Sequence, residues 1–331
     1  MMKIAIDAMG GDYAPVELIK GCIKAAKTAE AELVLIGQEE AIKTELKKYE
    51  YDRSKIKILN ANGVITMDDS FSAVRTKKDS SMVVGLNLVK DGKVDAFISA
   101  GNSGALVAGA TTIVGRLKGV SRPALTPLIP TKKGYSLLID AGANVDAKPE
   151  FLHHFAKIGS VYMQACLGIQ NPKVGLINIG TEVEKGNKLT KETYPLLQED
   201  SDINFIGNIE AREIPEGEAD VLVCDAFVGN VILKFMEGFG NWVFSMVKFE
   251  FTRNIATKVA ALLMKKGVGN IKKKFYYNDQ GGAPLLGIKG IVIKIHGNSK
   301  DTEMASAILQ AEGFVRNKLI EKISEKFVNL K

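Results

Sequence analysis

The stretch Ile98-Ser99-Ala100-Gly101-Asn102-Ser103-Gly104-Ala105 carries a short apolar segment, Asp95-Ala96-Phe97-Ile98, into a helical pattern over residues 105–117. Strand, tight polar turn, helix: that order brings backbone N–H groups and a helix N-terminus to one point. Such a point attracts an anion through its unbonded donors and the helix dipole. Gly101 and Gly104 allow a sharp turn and a close ligand. Asn102 and Ser103 are N-cap types whose side chains also donate hydrogen bonds. A capped turn with no ligand has the same sequence, so this stretch alone fixes the local fold and leaves function open.

The same order repeats along the chain. Residues 3–7 read as a strand, broken by Ala8-Met9-Gly10-Gly11-Asp12, and 16–27 follow as a helix after Pro15. Further strands are expected at 33–37, 55–59, 136–140, 174–178, 204–208, 219–225 and 290–295. Helices are expected at 39–49, 80–90, 149–167, 189–198 and 302–330. Pro123, Pro127 and Pro130 impose an extended segment. Strands alternating with helices predict an α/β fold with a doubly wound, mostly parallel sheet covered on both faces. One domain over 1–331 is expected, interrupted at 239–280 by a protruding helical element rich in aromatic residues and lysines.

Composition narrows the class. With 331 residues, 46% apolar and 25% charged, the chain can bury a large core. Three widely spaced cysteines, Cys22, Cys166 and Cys224, argue for a reducing compartment and against a disulfide framework. No Cys/His cluster suggests a metal, and none is expected. The N-terminus reads as a strand without a secretory leader, and no apolar run is long enough to span a bilayer. A net charge of +6 suits acidic partners or anionic membranes, but it is also common in ordinary enzymes.

Five strand-end turns share glycine with Asp or Asn: Asp7-Ala-Met-Gly-Gly-Asp12, Gly101-Asn-Ser-Gly104, Asp140-Ala-Gly-Ala-Asn144, Asp225-Ala-Phe-Val-Gly-Asn230 and His296-Gly-Asn-Ser299. Glycine, Asn and Asp make good turns anywhere. In a doubly wound sheet, however, the carboxyl ends of the strands line one edge where ligands bind. The five turns are therefore expected to converge. Lys185-Gly186-Asn187 adds a cation suited to phosphate. GxGxxG, GxxxxGK[ST] and GxSxG are all absent, which disfavours nucleotide binding and an elbow-serine hydrolase. His153 and His154 read as helix-surface or interface residues. His296 stands either in the site or in a capped turn.

These motifs, spanning nearly the full length, resemble the bacterial phosphate acyltransferase (PlsX) family. The resemblance also rests on Tyr13-Ala-Pro15, Arg122-Pro-Ala124, Asn178-Ile-Gly-Thr-Glu182, Phe205-Ile-Gly-Asn208 and Gly281-Gly-Ala283. Ala226 stands where glycine is expected, and Asn298 where serine is expected. The resemblance implies a homodimer with a fold similar to the isocitrate/isopropylmalate dehydrogenase group and to phosphotransacetylases. It implies transfer of an acyl group from acyl carrier protein (ACP) to inorganic phosphate, without cofactor. The acyl phosphate would feed a membrane glycerol-3-phosphate acyltransferase.

That reaction needs a phosphate cradle and oxyanion stabilisation but no protein nucleophile. The backbone at Gly101–Gly104, with Lys185 and Asn230, could supply the first two, and His296 and Asp7 are the candidate proton acceptors. Gly10, Gly11, Asn102, Ser103, Asp140, Asn144, Thr181, Asn187 and Gly229 complete the expected substrate and phosphate site. A phosphotransacetylase using acyl-CoA is the alternative, followed by a related dehydrogenase or a non-enzymatic ACP-binding scaffold. Arg75, Lys77, Lys78, Arg116, Lys118 and Arg122 form the expected face for acidic ACP, and no nucleic-acid partner is expected. Ile255, Val259, Leu262 and Leu263 share one helix face flanked by basic residues. This predicts contact with the anionic inner face of the cell membrane from the cytoplasm, burial in a dimer, or both, with the hairpin's base in the dimer and its tip exposed.

Overall fold

The computed structural model describes residues 1–275 and 281–328. Among these residues the strands are β1 (Lys3–Asp7), β2 (Glu32–Gly37), β3 (Ile56–Asn60), β4 (Ala96–Ser99), β5 (Ala124–Leu125), β6 (Leu128–Thr131), β7 (Gly134–Ile139), β8 (Lys173–Asn178), β9 (Asn204–Glu210), β10 (Val221–Val223), β11 (Ala283–Leu286) and β12 (Ile291–Lys294). They form two sheets, ordered β3-β2-β1-β4-β12-β11-β5 and β6-β7-β10-β8-β9. Most pairs are parallel; β11 runs antiparallel to β12 and β5, and β6 antiparallel to β7. The expected doubly wound sheet is thus present but divided. The chain crosses between the halves at Thr126-Pro127.

The helices are α1 (Val16–Ala26), α2 (Glu39–Leu46), α3 (Ala73–Thr76), α4 (Ser81–Lys90), α5 (Ser103–Gly109), α6 (Pro149–Leu167), α7 (Lys188–Glu199), α8 (Ala226–Thr252), α9 (Ile255–Phe275), α10 (Asp301–Arg316) and α11 (Leu319–Val328). Strand alternation sorts the packing of the first sheet. Ile4, Ile6, Ile98 and Ile293 pack in one cluster with Leu18 of α1 and Ile308 of α10. Ala5, Phe97 and Val292 pack in another with Met82 and Leu86 of α4. The first cluster also takes Leu137, Val174 and Val221 from the second sheet, so apolar burial links the two sheets.

Several expectations are corrected. The helix expected over 105–117 starts at Ser103 and ends in a π turn, Ala110–Val114, stopped by Gly115 at φ 89°. The single helix expected over 302–330 breaks at Lys318, whose φ is 52°. β5, β6 and β11 lie where prolines masked a strand signal; Pro130 is tolerated because β6 is an edge. The protruding element starts at Ala226, within the turn Asp225–Asn230, not at 239. α8 packs along α9 as a helical hairpin. Residues 276–280 of the expected insertion and 329–330 of the expected last helix lie outside the described residues.

Gly85 of α4 shows how tightly the layers meet. A Cβ there would stand 2.1 Å from the Phe97 ring. Gly85→Ala should therefore cost about 1–3 kcal/mol of stability by overpacking, read as a lower urea midpoint with an unchanged denaturant slope.

Candidate active site

At the carboxyl end of the first sheet, β1, β4 and β12 present Asp7, Ser99 and Lys294 in a row. Ser99 is in register with Lys294, and Asp7 lies one residue beyond the Ile6–Ile98 pair. Asp7 is 2% exposed. Its carboxylate accepts from Ser99 Oγ (2.7 Å), Ser81 Oγ (2.6 Å) and the Met9 N–H (3.2 Å). Burial raises its pKa, and the hydrogen bonds from Ser81 and Ser99 oppose the rise.

Three turns close over this row. A Cβ on Gly10 would lie 2.5 Å from Asp7 Oδ2 and 2.8 Å from the Gly101 nitrogen, and one on Gly11 would lie 2.8 Å from the Gly297 carbonyl oxygen. Glycine is therefore required where these turns touch. The Asp12 N–H donates to the Gly297 carbonyl at 2.8 Å. The Gly101 N–H, expected to serve a ligand, is spent on Ser99 Oγ at 3.0 Å. Asn102 caps α5 by accepting from the Ala105 N–H, and its amide donates to the carbonyls of Met67 and Asp69. That leaves the amides of the first turn of α5, with Ser103 and Gly104 exposed there, as donors for an anion.

The other turns gather at the carboxyl end of the second sheet. Asp140 is fully buried and organises its own loop. Oδ1 accepts from the N–H groups of Leu125, Gly142 and Ala143, while Oδ2 accepts from the Asn144 N–H and amide. Asn144 also donates to the Pro123 carbonyl, so it holds the loop and is not left over for substrate. Gly229 packs where a Cβ would be 1.9 Å from the Asp140 carbonyl oxygen, and Asn230 donates to the Ala141 carbonyl at 3.2 Å. β8, the neighbour of β10, leads into a loop with Thr181 and Lys185 exposed; it is closed by Asn178 donating to the Lys185 carbonyl. Asn187 caps α7. Asn208 donates to the Glu182 carbonyl beneath this loop.

The five turns thus converge as two groups rather than one, and α8 joins them. Its first turn carries Asn230 against the Asp140 loop. Two turns later Glu237 Oε1 lies 3.1 Å from Nε2 of His296, whose side chain is exposed at the first group. Seven residues return a helix to the same side, about 10 Å along its axis. Both groups therefore meet the same side of α8.

Of the histidines expected at a surface, His154 is buried. Its Nδ1 accepts from the Ser121 N–H and its ring meets Phe327 edge-on. Burial lowers its pKa. His153 and Lys157 both reach Asp200, so they tie α6 to the loop after α7. In the expected basic face, Lys77 is ion-paired to Asp69 and Arg122 lies over the Phe151 ring. The three thiols are poor nucleophiles. Cys22 and Cys224 are buried with pKa values driven up by desolvation, and Cys166 is pushed up to about 12. Sequence reasoning passed over Lys294. It reads as an ordinary strand residue, yet it is only 8% exposed. Burial brings its pKa down to about 8, against the pull of Asp7 and Asp12.

Residues 2–322 match the model of a family described as "Fatty acid synthesis protein". A phosphate acyltransferase of Alkaliphilus oremlandii is 52% identical over 325 residues, covering 98% of this chain and 97% of the relative. One from Acetivibrio thermocellus is 49% identical over 331 residues, covering 99% and 97%.

The chain belongs to the phosphate acyltransferase family.

It is accordingly an enzyme, an acyltransferase. Its fold is shared with a phosphotransacetylase from Streptococcus pyogenes (TM-score 0.63, 18% identity, 97% of this chain and 94% of that one). It is also shared with 4-hydroxythreonine-4-phosphate dehydrogenase from Klebsiella pneumoniae (TM-score 0.55, 12% identity, 94% and 98%), in line with the expected dehydrogenase-like α/β architecture.

The contact between α8 and the Asp140 loop is backbone against backbone and has no room to yield. Gly229→Ala should therefore push α8 off the loop, with a loss of at least about 1–3 kcal/mol. A variant with the wild-type urea midpoint and wild-type turnover would refute this packing.

Proposed function

We propose that this phosphate acyltransferase moves a fatty acyl group from acyl-ACP to inorganic phosphate, releasing ACP and acyl phosphate. The observation that carries the reading is the near full-length likeness to phosphate acyltransferases. The site chemistry supports it. A phosphate oxygen attacks the thioester carbonyl, the tetrahedral oxyanion collapses, and the carbon–sulfur bond breaks to release the carrier thiolate. No protein nucleophile is needed, and the buried thiols offer none. The α5 turn with Gly10 and Gly297 receives phosphate, while Lys185 and Asn230, which follow the adjacent strands β8 and β10, stabilise developing negative charge. His296 and Asp7 remain the candidate proton acceptors. Asp7, hydrogen-bonded beneath the turn, suits support of the turn better than proton transfer.

The hairpin supplies a place of work. No helix among the described residues is long and apolar enough to cross a membrane. Ile255, Val259, Leu262 and Leu263 are all exposed on α9. On α8, Phe235, Phe239, Trp242, Met246 and Phe249 make a second exposed stripe at helical spacing. In this reading the α8 stripe pairs two copies of the chain. The α9 stripe rests on the anionic inner face of the cell membrane, where a membrane glycerol-3-phosphate acyltransferase takes the product.

Lys185→Ala and Asn230→Ala should fold normally and lose about tenfold or more in turnover, measured as phosphate-dependent release of ACP from acyl-ACP. Activity with acyl-CoA but not acyl-ACP would replace the carrier with the coenzyme; wild-type turnover in both variants would remove these residues from the site.

Wild type should co-sediment with anionic vesicles, and Val259→Glu with Leu262→Glu should not, with dimer and activity retained. A double variant that falls to monomer would place the stripe in the subunit interface instead.

A further inference from the structure

Lys294 is buried at the carboxyl end of β12, directly behind the turn that this reading assigns to phosphate. Its ammonium donates to the carbonyl of Ala100 at 3.3 Å and to the carbonyl of Ile295. The other end of the Ala100–Gly101 peptide is held as well, because the Gly101 N–H donates to Ser99 Oγ, which donates to Asp7. One peptide unit is thus clamped at both ends by the buried row Asp7–Ser99–Lys294. That peptide sets the start of α5.

We infer that Lys294 is a positioning residue for phosphate: it fixes the Ala100–Gly101 peptide and supplies the buried positive charge that an anion at the α5 turn requires. The inference rests on the assignment of phosphate to this turn. Two arguments support it. A buried cation is costly, and a neutral side chain would fill a strand position at lower cost. Asp7 and Asp12, the charges that act on Lys294, are both acidic, and without Lys294 their field at the turn would repel an anion. Of the other elements packed on this face, α3 carries Arg75, which is exposed, and the loop before it carries Asp69, which is neutralised by its ion pair with Lys77. α5 and the π turn carry no titratable residue, and the one on α4, Lys90, is at its far end. His296, two residues on, is turned outward to Glu237.

Losing the proton of Lys294 should therefore weaken phosphate binding and leave the acyl donor nearly untouched. The group titrates near pH 8, so the charge is present at pH 7 and lost as pH rises through that value. Inorganic phosphate is titrated calorimetrically into the full-length protein at pH 7 and 9.5, and KM for phosphate and for acyl-ACP is measured in parallel. Wild-type affinity for phosphate should fall about fivefold or more between the two pH values. Lys294→Met should bind phosphate about tenfold or more weakly at both, with KM for acyl-ACP changed less than about twofold. Lys294→Arg, whose guanidinium stays charged throughout, should recover binding over Lys294→Met and show little pH dependence.

Folded Lys294→Met with wild-type phosphate affinity overturns the inference. So does a wild-type pH profile identical to that of Lys294→Arg, a comparison that decides the matter even if Lys294→Met does not fold. Wild type that transfers acyl groups to phosphate with a KM indifferent to Lys294 sinks this inference alone. Phosphate binding that depends on Lys294 in a protein without acyl transfer sinks the proposed reaction alone.

Discussion

Two buried carboxylates hold the ends of the two sheets, and the site is built on them. Asp7 finishes β1 and Asp140 follows β7. Each sits where a parallel sheet leaves backbone donors and acceptors unpaired, and each collects donors from its own turn and from a neighbouring segment. A carboxylate accepts several hydrogen bonds at once, which neither a hydroxyl nor an amide oxygen matches. Burial makes both groups costly, so the fold tolerates them only with this full complement of donors. The glycines follow from the same constraint. With the turns pulled this close, Gly10 and Gly229 have no space for a Cβ.

The two sheets then divide the chemistry. The first buries Asp7 and Lys294 behind its turns. The second leaves Lys185 exposed on a loop and places Asn230 at the mouth of a helix. Under the proposed reaction, attack on a thioester by an anion asks for both a seat for the nucleophile and donors that meet charge as it develops.

Much of this was legible in the sequence. Strand-to-helix alternation gave the parallel elements, because buried parallel strands read as apolar runs ending in Gly and Asp. The turns were visible for the same reason. The division into two sheets was hidden, since β6 and β11 carry prolines, β5 lies between Pro123 and Pro127, and all three read as loops. The roles within the turns were hidden too. Asn102, Asn144 and Asn187 look alike as polar turn residues, and only their partners show that each is occupied in holding backbone. Lys294 gave no signal, because a lysine at the end of a strand is ordinarily solvated; register places it between Ser99 of β4 and Ala283 of β11. The α8 boundary was misread because its start, Asp225 to Asn230, has the composition of a turn while also serving as the first turn of a helix.

That continuity of α8 fixes a rotational phase. From Ala226 to Thr252 the helix is unbroken, about 40 Å of rod at 1.5 Å per residue. One residue added or removed between Asn230 and Trp242 would turn everything beyond it by about 100° and swing the aromatic stripe off its direction, although no residue of the site had changed. The corner at Arg253 and Asn254 imposes no such phase. A change of length at the corner or past it would leave the shaft in phase with the turn at Asn230, whereas a change within the shaft would not.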